Sequence, residues 1–244
     1  MPMTISGTGG ATFPDSTTQT TALPASGANG NVLTSNGSAW VSSTPGGIRA
    51  TTFTGNGTFT IPTSVTTVKV TVLGAGGGGA AANNGFCPPL SGGPGGAGGM
   101  AISYLTGLTA GNTISVTIGA GGTAGTGTTG AAGGTGGASS ISSGTQTIST
   151  VTANGGSGGQ NASAGNLMNT GGSGGTASGG TINIQGQAAH GDPSNIRQFS
   201  GSTFFGAGFM ARAEFNNATQ AASGYGSGGG PATAGTAGLV IFEY

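Results

Sequence analysis

Residues 67–79 read TVKVTVLGAGGGG, a strand signal that passes without a break into a run of glycines. Residues 67–72 alternate between apolar and polar side chains, which is typical of a half-buried β-strand. The glycines that follow carry almost no side chain and bury no core of their own. The chain repeats this succession of a short strand and a glycine-rich tract, and the repetition therefore determines the fold.

The remaining strand signals are short and spread along the whole chain. Residues 30–41 predict a hairpin around Asn36-Gly37, a strong turn signal. No segment has a convincing helical period, although residues 209–222 come closest and leave a helix there as an alternative. The sequence therefore predicts an all-β protein of short antiparallel strands. Besides residues 67–72, the predicted strands lie at residues 53, 58–61, 102–105, 113–118, 147–151, 181–184 and 239–244.

Glycine-rich tracts separate these strands, and 58 of the 244 residues are glycine. A flexible linker is the ordinary interpretation of such a tract, but here the tracts recur inside a strand pattern. We favour polyglycine II helices, with three residues per turn and a rise of about 3.1 Å. Packed as a glycine-rich lattice, they would bond each N–H to a neighbour's carbonyl. Pro94 and Pro231 fit, because the fixed φ of proline suits this conformation. The tracts are residues 74–79, 92–99, 119–127, 130–137, 155–159, 171–180 and 224–238.

The cost of ordering so much glycine predicts an oligomer. Glycine is less favourable than alanine by about 0.5–1 kcal/mol per ordered residue. A dense hydrogen-bonded lattice, together with association of subunits, has to offset that cost. The formal net charge of zero also gives the chain little protection against association.

Charged residues make up only 3% of the chain, and that scarcity excludes several classes of function. Binding of nucleic acid needs clustered Lys and Arg, of which the chain has four in all. Acid–base catalysis and carboxylate-ligated metals need several converging titratable groups. We therefore expect no enzyme, no metal and no cofactor. The single Cys87 forms no intrachain disulfide, and we expect neither a signal peptide nor a membrane span.

Two motifs known from enzymes occur here through glycine content alone. Residues 74–79 match the dinucleotide-binding pattern, but Gly85 and two prolines follow where a crossover helix is required. Residues 155–159 and 171–175 match the G-x-S-x-G pattern of hydrolases without its strand–helix context. His190 is most simply a loop residue, and a metal site shared between copies at a threefold axis is the alternative.

Residues 187–222 interrupt the glycine pattern and are the main candidate for recognition. They hold four of the eight charged residues and five of the ten phenylalanines. A loop of this length is uncommon unless it is functional or disordered. Its aromatic side chains either pack as a small satellite core or form a recognition surface with the arginines. Residues 81–90 and 160–170 are two shorter interruptions. The candidate receptor-binding residues are Arg197, Phe199, Phe204, Phe205, Arg212, Phe86, Asn166 and Met168.

Several motifs beyond glycine occur in order along the chain. FTGNGTFTIP at residues 53–62 leads into residues 65–79, residues 108–122 lie in the middle, and a glycine tract precedes the last strand. Together they resemble the glycine-rich domain of bacteriophage tail fibres. Residues 9–22 (GGATFPDSTTQTTA) and 31–38 (NVLTSNGS) are similar to segments near the start of such fibres. The resemblance implies a virion protein, commonly a homotrimer, whose glycine-rich tip carries variable loops for host recognition.

On this resemblance the chain is expected to be a short fibre or a fibre tip, since it has no long shaft. Residues 1–47 would attach it to other tail or fibre proteins, with Ile5, Phe13, Pro14 and Asp15 as candidates. Residues 48–244 would bind a host polysaccharide or an outer-membrane protein. The protein would reside in the virion, and in the host cytoplasm during assembly. One alternative is a decoration protein that only assembles. Another is a depolymerase, for which the chain offers no obvious carboxylate pair.

Overall fold

The computed structural model describes residues 47–83, 85, 91–160, 170–191, 198–211 and 221–244, together with short strands within residues 1–46. The chain divides into two compact units, Met1–Ile48 and Arg49–Tyr244. In the first unit, strands β1 (Thr4–Ser6), β2 (Gly10–Thr12) and β3 (Thr18–Gln19) form an antiparallel sheet, and β4 (Val32–Ser35) pairs with β5 (Trp40–Ser43). The two strands of the predicted hairpin therefore pair, and its turn at Asn36-Gly37 lies outside the described residues.

The second unit contains two five-stranded antiparallel sheets. Its strands are β6 (Ala50–Phe53), β7 (Gly57–Thr60), β8 (Thr67–Leu73), β9 (Met100–Thr106), β10 (Thr113–Thr117), β11 (Ser139–Ser143), β12 (Val151–Ala153), β13 (Ala177–Ser178), β14 (Ile182–Ile184), β15 (Gln198–Phe199), β16 (Met210–Ala211) and β17 (Leu239–Glu243). Sheet I has the order β14-β9-β8-β17-β6, and sheet II has the order β13-β12-β11-β10-β7. Strands β15 and β16 pair as a separate ribbon.

The described residues contain no helix, so the predicted all-β class is confirmed. In particular, none of them forms a helix with the length and apolar character needed to span a bilayer. The alternative of a helix at residues 209–222 is wrong where the structure describes that segment, because Met210–Ala211 form β16. Residues 212–220 lie outside the described residues.

Sheets I and II pack face to face as a sandwich, and the hydrophobic core lies between them. Alternation along β8 turns Val68, Val70 and Val72 toward sheet II, where all three are buried. The rings of Phe59 and Phe242 stack across the core with their centroids 4.0 Å apart. Strict alternation in residues 67–72 thus predicts both the strand and the side that it buries.

One strand prediction is wrong. Residues 147–150 are not a strand, Val151 begins β12, and β11 (Ser139–Ser143) is a strand that was not predicted. The serines of β11 give almost no strand signal, but its single Ile141 is fully buried between the sheets. Ile148 packs against the same core from the following turn, where its N–H donates to Ser143 Oγ at 3.0 Å.

Both sheets continue beyond their strands into the glycine tracts. In sheet I, residues 74–81 follow β8, residues 92–99 precede β9 and residues 233–238 precede β17. In sheet II, residues 119–125 follow β10, residues 131–137 precede β11, residues 154–160 follow β12 and residues 170–176 precede β13. We call these segments, with residues 186–190 and 226–232, the threads of the glycine lattice.

The hydrogen bonds of the thread 74–81 repeat every three residues. Every third N–H donates to the same neighbouring thread, and the three neighbours run antiparallel to it. Gly74, Gly77 and Ala80 donate to the carbonyls of Gly99, Gly96 and Gly93; Ala75, Gly78 and Ala81 donate to Gly137, Gly134 and Ala131; Gly76 and Gly79 donate to Thr236 and Thr233. The N–O distances are between 2.8 and 3.1 Å.

The carbonyls of the same thread follow the same repeat toward three further threads, which run parallel to it. Ala75 and Gly78 accept from Gly156 and Gly159, Gly76 and Gly79 accept from Gly122 and Gly125, and Gly77 and Ala80 accept from Gly229 and Ala232. Residues 74–81 are therefore the centre of a hexagonal bundle. A repeat of three residues with bonds only to other threads is the pattern of a polyglycine II helix, which confirms the predicted lattice.

Close approach of the threads explains why glycine is required. A Cβ built on Gly76, Gly77 or Gly78 would lie closer than 3.0 Å to a carbonyl oxygen of a different neighbouring thread. Pro94 lies fully buried within a thread. Pro231 lies instead in a turn, where the Thr233 N–H bonds to the Gly230 carbonyl.

A single methyl group in the lattice should therefore be costly. We expect Gly77→Ala to lower the free energy of unfolding by about 1–3 kcal/mol, as overpacking does elsewhere. Gly55→Ala is the matched control, because a Cβ at Gly55 meets nothing within 4 Å. Denaturant unfolding followed by circular dichroism measures both. Equal stability of the two variants would contradict the close packing of the threads.

Candidate recognition surface

The threads end together at the side of the lattice opposite the two sheets. The Ala80 N–H donates to the Gly93 carbonyl at 2.8 Å, and the Gly93 N–H donates to the Gln160 carbonyl at 3.1 Å. The Gln160 N–H continues this row with a 2.9 Å bond to the Thr170 carbonyl. Four thread ends therefore lie at one level. We call this level, marked by Ala80, Gly93, Gln160 and Thr170, the far rim.

His190 and Phe199 extend the far rim on one side. Each donates its N–H to the other's carbonyl, at 2.8 and 3.1 Å, and their ring centroids are 6.4 Å apart. The thread of His190 is fixed by the Ala189 N–H, which donates to the Gly172 carbonyl at 2.8 Å. Gln198, next to Phe199, pairs with Ala211 in the ribbon β15–β16.

Four segments of the chain that the structure does not describe begin directly after described residues of this region. They are residues 86–90, 161–169, 192–197 and 212–220, and each is entered from a described residue at or beside the far rim. Five of the candidate residues belong to them, so no contact is described for these side chains. They are Phe86, Asn166, Met168, Arg197 and Arg212.

Phe204 and Phe205 lie at the other end of the lattice, close to the sheets. Thr203 Oγ1 donates to the Tyr225 carbonyl at 2.6 Å, and the Tyr225 N–H donates to the Phe205 carbonyl. Gly226, the next residue, adjoins the side chain of Leu73 at the end of β8. The structure thus brings Phe199 to the rim with His190 and separates Phe204 and Phe205 from them.

The described phenylalanines of residues 187–222 differ in burial. Phe209 is 6% exposed and packs as a satellite core would. Phe204 is 88% exposed, and its ring meets that of Phe205 edge-on at 5.2 Å. The burial of Phe209 therefore fits the satellite core, and a role of the exposed Phe204 in recognition stays a prediction.

The predicted attachment residues lie in the first unit. Ile5 is in β1, and Phe13, Pro14 and Asp15 lie outside the described residues.

Charged residues are absent from the described threads. In the sandwich, Lys69 Nζ lies 2.7 Å from Glu243 Oε2, and the hydrogen bond to Glu243 raises the pKa of Lys69. The ion pair stabilises the folded state while Lys69 is protonated. Its contribution to stability is lost as pH rises through the raised pKa of Lys69. Asp192, Arg197, Arg212 and Glu214 lie outside the described residues. Within the described residues, no cluster of three His, Cys, Asp or Glu could hold a metal ion.

Gln198 is a buried polar residue that sequence reasoning missed. Its side chain is fully buried, Ser91 Oγ donates to its Oε1 at 3.4 Å, and its Nε2 has no hydrogen-bond partner among the residues that the structure describes. Its burial depends on threads distant in sequence, so no local pattern could have identified it.

The chain belongs to the glycine-rich domain family, since the model of that family matches residues 50–244. The matched residues contain both sheets of the sandwich and all threads of the lattice. A comparison with curated proteins found no match.

Replacing Gln198 tests whether its buried side-chain amide stabilises the part of the lattice next to the far rim. A buried donor without a partner costs about 1–3 kcal/mol. We therefore expect Gln198→Met, which keeps the volume and removes that donor, to leave the melting temperature unchanged or raise it. Gln198→Ala is the control and should lower the melting temperature, because it leaves a cavity. A clear loss of stability in the Met variant would show that the amide is bonded.

Proposed function

We propose that this protein is a bacteriophage adhesin, a short tail fibre or fibre tip, that binds a receptor on the host cell surface. The segments adjoining the far rim would bind the receptor, and residues 1–47 would attach the protein to other virion tail or fibre proteins. One observation carries the proposal: the described residues Gly85, Gln160, Gly191 and Ala211, from which these segments begin, lie at or beside one end of the lattice.

The way the threads are held supports a recognition role. Their hydrogen bonds join backbone to backbone, so the lattice places few demands on the sequence of the connecting segments. Binding residues are commonly carried on loops that a rigid scaffold positions. A lattice of this kind would let the connecting segments vary while their attachment points stay fixed.

The residue types beyond the rim suit a carbohydrate or an exposed protein loop. Arg197 and Arg212 would supply charge-assisted hydrogen bonds to carboxylates or phosphates of the receptor. Phe86 and Phe199 would offer rigid aromatic area, and Asn166 would offer an amide. We therefore propose a surface polysaccharide or an outer-membrane protein as the receptor. Several copies on one particle would add avidity, so a single site need not bind tightly.

The arginines allow a matched test of this function. We expect Arg197→Ala with Arg212→Ala to weaken binding of the purified protein to host cells by about tenfold or more, as loss of charge-assisted bonds predicts. Arg49→Ala is the control, because Arg49 is exposed at the start of the sandwich, away from the far rim. Cell binding, competition with phage adsorption and melting temperature are measured for all three proteins.

The outcomes separate the proposal from its alternatives. Wild-type protein that neither binds cells nor blocks adsorption would favour a decoration protein that only assembles. Clearance of capsule by the purified protein would point to a depolymerase. Binding that survives the double substitution would exclude the two arginines from the receptor contact.

A further inference from the structure

The thread 154–160 lies at a face of the lattice, not inside it. Among the described residues, its backbone bonds to four threads, whereas the central thread 74–81 bonds to six. A hexagonal bundle has six positions around each thread, so two positions around this one hold no described thread. The N–H groups of Gly155 and Gly158 donate to none of the described residues. The four bonded threads are residues 74–81, 92–99, 131–137 and 170–176.

Open backbone groups of this kind invite association with another chain. An edge strand of a β-sheet offers a row of unpaired N–H and C=O groups and pairs with other chains unless side chains prevent it. A polyglycine II thread offers the same groups with a repeat of three residues. The formal net charge of zero gives little electrostatic repulsion between copies. Charge therefore does not keep the threads of a second copy away from this face.

Side chains occur at every third position of the thread 154–160. Cβ atoms built on its four glycines would lie closer than 3.0 Å to carbonyl oxygens of the neighbouring threads 92–99 and 131–137. Its other three residues share the remaining position of the three-residue repeat, where the lattice leaves room for a side chain. They are Asn154 and Gln160, which are exposed, and the half-buried Ser157.

The other three threads that continue sheet II have the same repeat. Apart from Ala124 and Ala131, glycine fills the positions between their side chains. None of the ten residues at the outward position is glycine, although glycine makes up 58 of the 244 residues, so the side chains there are selected and not incidental. We call them the outer rows. They are Ala120, Thr123, Ala132, Thr135, Asn154, Ser157, Gln160, Thr170, Ser173 and Thr176.

The outer rows occupy the space beside the open backbone groups. Gln160 Nε2 donates to the Gly158 carbonyl at 3.4 Å, so a side chain bonds where a further thread would donate its N–H. Ser157 Oγ and Ser173 Oγ lie 2.9 Å apart and bridge two adjacent threads. A further thread would have to displace these side chains before its backbone reached the backbone of the lattice.

We propose that the outer rows stop growth of the glycine lattice by holding the threads of a second copy away from this face. Threads inside the lattice approach so closely that a single Cβ would overlap a carbonyl oxygen. A face with a side chain on every third residue therefore does not accept another thread. Copies of the chain associate through other surfaces, and the lattice stays within one molecule. The inference does not rest on the proposed receptor binding.

Three members of the outer rows on adjacent threads allow a matched test. Thr135→Gly with Ser157→Gly and Ser173→Gly removes all three side chains, whereas alanine at the same positions removes the hydroxyls and keeps each Cβ. We expect the average mass of the glycine variant to rise at least about twofold with protein concentration, as unpaired edges predict. The alanine variant should keep the mass of the wild type at every concentration. Sedimentation equilibrium measures the mass, and circular dichroism shows whether each variant folds.

Amide exchange in the wild-type protein keeps the proposal testable if the glycine variant does not fold. The Gly155 and Gly158 amides should exchange fast at every protein concentration, because amides outside hydrogen-bonded structure are not protected. Slow exchange at either amide would overturn the proposal, since another copy or another part of the chain would then bond to this face. A folded glycine variant with the mass of the alanine variant would overturn it too. So would an alanine variant that associates as strongly as the glycine variant.

Discussion

Backbone hydrogen bonds between glycine threads are the interaction on which this structure depends. All eight N–H groups of residues 74–81 donate to neighbouring threads, and the donors rotate among three neighbours. With no room for side chains between the threads, little else is available to hold them. Because a buried backbone group without a partner costs about as much as a lost hydrogen bond, the threads are stable only as a set.

The strands of the two sheets fix the register in which neighbouring glycine threads pair. Leu73 lies opposite Met100 in sheet I, and the next residue, Gly74, donates to Gly99. On the other side of β8, Leu73 lies opposite Leu239, and Gly76 donates to Thr236. The core of Phe59, Phe242 and the valines of β8 therefore supplies the specificity that bare glycine threads lack. The threads keep the register set by the strands as far as the far rim. The segments for which we propose receptor binding begin at or beside that rim.

Side-chain patterns predicted the parts of the fold that side chains determine. Alternation in residues 67–72 and 113–118 identified two central strands, and the recurrence of glycine tracts identified the lattice. The same patterns missed β11, which has one apolar residue. They also treated residues 187–222 as one surface, whereas Phe199 and Phe204 lie at opposite ends of the lattice. Glycine threads contact one another through backbone atoms, so their sequences do not specify which threads are neighbours. The order of the threads, and with it the position of each loop, could therefore not be predicted from the sequence.

Amide hydrogen exchange across the threads tests the lattice most directly. Amides bonded within a cooperative structure exchange only when that structure opens, and the slowest of them report global unfolding. The lattice predicts slow exchange at Gly77, Gly78 and Gly96, at rates comparable to those of Val70 and Val72 in the core, while exposed Gly55 exchanges fast. Fast exchange at all three lattice glycines, beside a protected sandwich, would show that the threads are not bonded to one another and would contradict this account.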